Sequence, residues 1–121
     1  MGNPTEPAVV RLDAAMRRAL ECERWHDATL WRCDLDEPLG TSWQALAEAD
    51  RGDGTLRFGH PADAWLAARW VRQRIEALEE ERALTTDPRL AARLRTDIAA
   101  LEALHRALLA AGRAGPSSRA A

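Results

Sequence analysis

Apolar residues recur at steps of three and four over most of this chain, the spacing that lines one face of a helix. From about residue 5 to 27, Val9, Leu12, Met16, Ala19 and Leu20 form such a stripe, and Pro7 suits a first turn. The pattern predicts an N-terminal helix there. It degrades after Trp25: Trp31, Cys33 and Leu35 alternate with Arg32 and Asp34, a period of two that suits a short strand at about 29–35. Thr41 and Gln44 then match the T-x-x-Q capping box, which predicts a short helix over about 42–50. Asp50-Arg51-Gly52-Asp53-Gly54 supplies turn conformations. Thr55–Phe58 reads as a second short strand with Leu56 and Phe58 on one side, and pairing it with 29–35 would give a small β-ribbon.

The second half of the chain carries stronger signals. Pro61 and Asp63 announce a helix over about 61–84, with its main stripe at Ala64, Ala67, Ala68, Val71, Ile75 and Leu78. Asp87 and Pro88 then cap and begin a helix to about 111, carrying Leu90, Leu94, Ile98, Leu101, Leu104 and Leu108, with Gly112 expected to terminate it. A break this short forces antiparallel neighbours, so 61–111 is expected to be an αα-hairpin. The segment 113–121 has nothing to bury and is expected to be disordered.

Composition agrees with this pattern. Of 121 residues, 25 are alanine and 16 leucine, while only five are Val or Ile. Strands favour β-branched residues and helices favour alanine, so an extensive sheet is excluded. The expected fold is mainly α: an N-terminal helix, a short irregular middle and a C-terminal antiparallel helical hairpin, in one small domain over 1–112. The net charge of −2 argues against general attraction to nucleic acid or anionic membrane. All 17 basic residues are arginine, which with the alanine excess reads as compositional bias. The first residues, MGNPTEPAVV, hold neither a basic nor an apolar run, and a cytoplasmic protein with free thiols at Cys22 and Cys33 is expected.

Candidate chemistry is sparse. Cys22, His26, Cys33 and His60 are residue types that bind zinc. On a continuous helix, however, His26 and Cys33 stand roughly 10 Å apart along the axis, too far to share an ion. Glu79, Glu80 and Glu81 point about 100° apart and read as a solvated face, and residues 50–54 lack the remaining ligands of a calcium loop. No nucleophile elbow, P-loop, dinucleotide fingerprint or H-E-x-x-H occurs. No catalytic residue, metal or cofactor is therefore expected, and the chain is read as a non-enzyme.

Two readings of function remain. Residues 41–47 look like the first helix of a helix-turn-helix, with 61–72 as the recognition helix and Arg69, Arg72 and Arg74 facing a groove. Against it, about ten residues replace a short turn, and residues 41–60 are not basic. The preferred reading is a protein-interaction or regulatory accessory module. Trp65, Arg69 and Arg72 share an outward stripe at i, i+4 and i+7, and Trp and Arg dominate protein interfaces. Leu66, Trp70, Ala77 and Leu84 form a second apolar strip about 100–140° from Val71, which a second copy of the chain or another protein could cover. The expected partner-binding residues are accordingly Trp65, Leu66, Arg69, Trp70 and Arg72, with no role for a membrane and nucleic acid as the lesser alternative.

Overall fold

The computed structural model describes residues 8–26, with side chains through Leu20, and residues 44–113. The chain is mainly helical, with a two-stranded antiparallel sheet and a C-terminal helix pair. In order, the elements are β1 (Ala8–Arg11), α1 (Ala14–His26), the helical residues 44–49 (α2), β2 (Thr55–Phe58), α3 (Pro61–Leu84) and α4 (Pro88–Arg113).

The N-terminal helix starts later than its apolar spacing suggests. Val9 and Val10 are β-branched and pair as a strand, Val10 with Leu56 and Val9 with Arg57. Val10 is buried and Val9 is turned outward, the reverse of a helical stripe through Val9. Helix α1 begins only after Asp13, whose Oδ1 accepts the Met16 N–H at 2.8 Å. The partner of β2 in the ribbon is therefore β1; residues 29–35, proposed for that role, lie outside the described residues. So do Thr41 of the capping box, Cys33 and residues 114–121.

The turn into β2 forms as its composition suggests. Gly52 and Gly54 take positive φ, +75° and +88°, where a side chain would be strained. Asp50 accepts from the Gly52 N–H at 2.9 Å. Asp53 accepts from the Thr55 hydroxyl at 2.6 Å and the Thr55 N–H at 3.0 Å, and the hydroxyl bond above all holds its carboxyl below the usual range. Leu56 and Phe58 then face inward, 1% and 2% exposed.

Helices α3 and α4 make the most extensive contact, joined by three residues. Asp87 caps α4 by accepting the Arg89 N–H at 3.0 Å, and Pro88 follows, as the sequence suggests. Every residue of the main α3 stripe is buried, as are Leu94, Ile98, Leu101, Leu104 and Leu108 of α4. Helix α1 and strand β1 pack on α4, and β2 packs on α3, so the small sheet and first helix cover part of the hairpin. Val10, Met16, Leu20, Leu46, Leu56 and Phe58 join the hairpin residues in one core cluster.

Candidate functional site

Among the described residues, part of the hairpin surface is left uncovered. Between the N-terminal half of α3 and the C-terminal half of α4 runs a groove of about 670 Å³, lined among others by Trp65, Leu66, Arg69, Arg72, His105 and Leu109. Four of the five expected contact residues line this one feature. Trp70 does not. It is 1% exposed, one of the largest fully buried side chains, and belongs to the core. The apolar strip of Leu66, Trp70, Ala77 and Leu84 is thus split: Trp70 is covered, Leu66 and Ala77 are partly buried, and Leu84 is 78% exposed.

Trp65 owes its position to Gly112. The helix α4 runs through Gly112 to Arg113, so this glycine lies inside the helix it was expected to end. A Cβ built there would overlap Trp65 Cδ1 and Nε1 and come within 2.9 Å of Cγ. The indole therefore lies against bare α4 backbone and still leaves half of its surface, 51%, in solvent. An indole held this way loses little further side-chain entropy on contact, which favours it as an anchor.

Charge around the groove is predominantly cationic. Arg69 and Arg72 stand on its α3 side, with Arg72 Nε donating to Glu76 Oε2 at 3.2 Å. Burial first, and then the Arg72 and Arg106 guanidiniums, hold His105 below its ordinary 6.5. The unfolded chain therefore binds a proton at His105 that the folded chain resists. That contribution to stability is complete above pH 6.5 and is lost as pH falls through the lowered folded value. His105→Gln should flatten this part of the stability profile, as measured by urea unfolding at a series of pH values. An unchanged slope would remove His105 from the account.

Those of the other candidates that are described do not assemble into a site. His60 is the N-cap of α3: its Nδ1 accepts the Ala62 N–H at 3.0 Å, a role invisible to spacing arguments but signalled by its place just before Pro61. Among the described residues no three His, Cys, Asp or Glu side chains gather as metal ligands. Cys22 and His26 lie on the α1 backbone, with side chains outside the described set. Glu79, Glu80 and Glu81 are all exposed. Between α2 and α3 stand a glycine turn and β2, so these helices are not joined by the short turn of a helix-turn-helix. No described helix is long and apolar enough to cross a membrane. No protein-family model, curated protein or solved structure matches the chain.

Proposed function

We propose that this chain is a non-enzymatic protein-interaction or regulatory accessory module whose contact surface is the α3–α4 groove. The observation that carries the reading is Trp65, half exposed, seated on Gly112 and flanked by Arg69 and Arg72. A rigid aromatic anchor beside guanidiniums is the composition that supplies most binding energy in protein interfaces. Three turns of α3 line the groove, about 16 Å at 1.5 Å per residue, a length that suits a helical segment of a partner. Regulation of DNA is the less supported reading, because Glu76, Glu79 and Glu80 lie on α3 beyond Arg72 and would repel phosphate.

A photo-crosslinking residue in place of Arg69, introduced in cells of the source organism, tests the surface. Discrete protein adducts are expected at position 69 and none at Arg95, an exposed control on α4. Equal labelling at both positions, or none at 69, removes the groove as a contact surface.

A further inference from the structure

The exposed surface of α3 does not end with the groove. Trp65, Arg69, Arg72, Glu76, Glu80 and Leu84 follow one another at steps of four, three, four, four and four. At 100° per residue they fall within about 120° of arc, and all six are exposed. Along the helix this stripe reads apolar, two cations, two anions, apolar. Trp65 and Leu84 are two of the three large hydrophobic residues exposed among the described residues, and they stand at its two ends.

Such an order is complementary to its own reverse. We infer that a second copy of this chain occupies the surface, the two α3 helices pairing antiparallel about a two-fold axis level with residues 74 and 75. In that alignment Trp65 meets Leu84 of the second copy, Arg69 meets Glu80, and Arg72 lies beside Glu76; the axis generates each contact twice. A parallel pair would set arginine on arginine and glutamate on glutamate, so the charge order also selects direction. The bond from Arg72 to Glu76 within one chain is no obstacle. Both side chains are more than half exposed, 61% and 54%, and such a pair holds its partners weakly. Apolar contact comes from Trp65 and Leu84, over a stripe about 28 Å long at 1.5 Å per residue, and a contact on this scale predicts a reversible dimer.

The inference rests on the reading of the α3 face as a contact surface, and charge reversal tests it separately. Sedimentation equilibrium of the wild-type chain at low salt is expected to show a monomer–dimer equilibrium that shifts to monomer as salt rises. Arg69→Glu with Arg72→Glu makes the stripe wholly acidic, and Glu76→Arg with Glu80→Arg makes it wholly basic. Each double variant should lose roughly tenfold or more in self-affinity, and an equimolar mixture of the two should recover a dimer. Circular dichroism confirms that both stay folded, as substitutions at exposed positions should. Direction is read from cysteines placed in a chain with Cys22→Ser and Cys33→Ser: Trp65→Cys and Leu84→Cys chains cross-link when mixed, and Leu84→Cys chains do not cross-link with themselves. A wild-type monomer at every concentration, double variants as dimeric as wild type, or Leu84→Cys self-cross-linking each overturns the antiparallel dimer. If position 69 nevertheless captures a different protein in cells, the interaction surface stands and only the identity of its occupant falls.

Discussion

Leu101→Asp should abolish the cooperative unfolding transition and most of the helical circular dichroism signal. Leu101 is 0% exposed and shares the core with Val71, Ile75 and Leu104. Removing its side chain alone, as in Leu101→Ala, deletes buried methyl groups and leaves a cavity, at a cost of about 2–5 kcal/mol. Aspartate adds to this the desolvation of a carboxylate placed in an apolar cluster. A domain of this size has roughly 5–15 kcal/mol of net stability, so the alanine variant should fold with a lowered urea midpoint while the aspartate variant should not. A cooperative transition in Leu101→Asp within a few kcal/mol of wild type would mean that α4 is not packed on α3 as described.

The hairpin was legible in the sequence because its signals are local. Pro61, Asp87 and Pro88 mark starts within a residue of the observed bounds, and the steps of three and four through Val71 to Leu78 and Leu94 to Leu108 point inward in the fold. What escaped depends on residues far apart in the chain. Val9, Leu12 and Met16 keep helical spacing across the boundary between β1 and α1, so periodicity could not show that residues 8–11 pair with 55–58. The signals present were weaker ones: two adjacent valines and Asp13 in a capping position. Gly112 was legible as glycine but not as the seat of Trp65, since that contact joins the first turns of α3 to the last turn of α4. For the site, the stripe of Trp65, Arg69 and Arg72 was visible from spacing on one helix. The α4 wall, with His105 and Leu109, required knowing how the hairpin closes.

Trp70 and Trp65 sit five residues apart on the same helix and should respond oppositely to truncation. Trp70 is 1% exposed and belongs to the core cluster that also holds Leu56 and Phe58, themselves fully buried. Trp70→Ala should cost about 3–5 kcal/mol, the range for deleting a large aromatic side chain from a core. Trp65 keeps half its surface in water and touches α4 along one edge, so Trp65→Ala should cost about 1 kcal/mol or less. The same pair should reverse rank in self-association: Trp65→Ala weakens the dimer with the fold intact, whereas Trp70→Ala lowers the unfolding midpoint of whatever oligomer is present. Urea unfolding and sedimentation equilibrium on both variants separate the two effects. A Trp70→Ala chain that unfolds like wild type but no longer associates would place Trp70 on the contact surface and turn the α3 helix about its axis relative to the arrangement described.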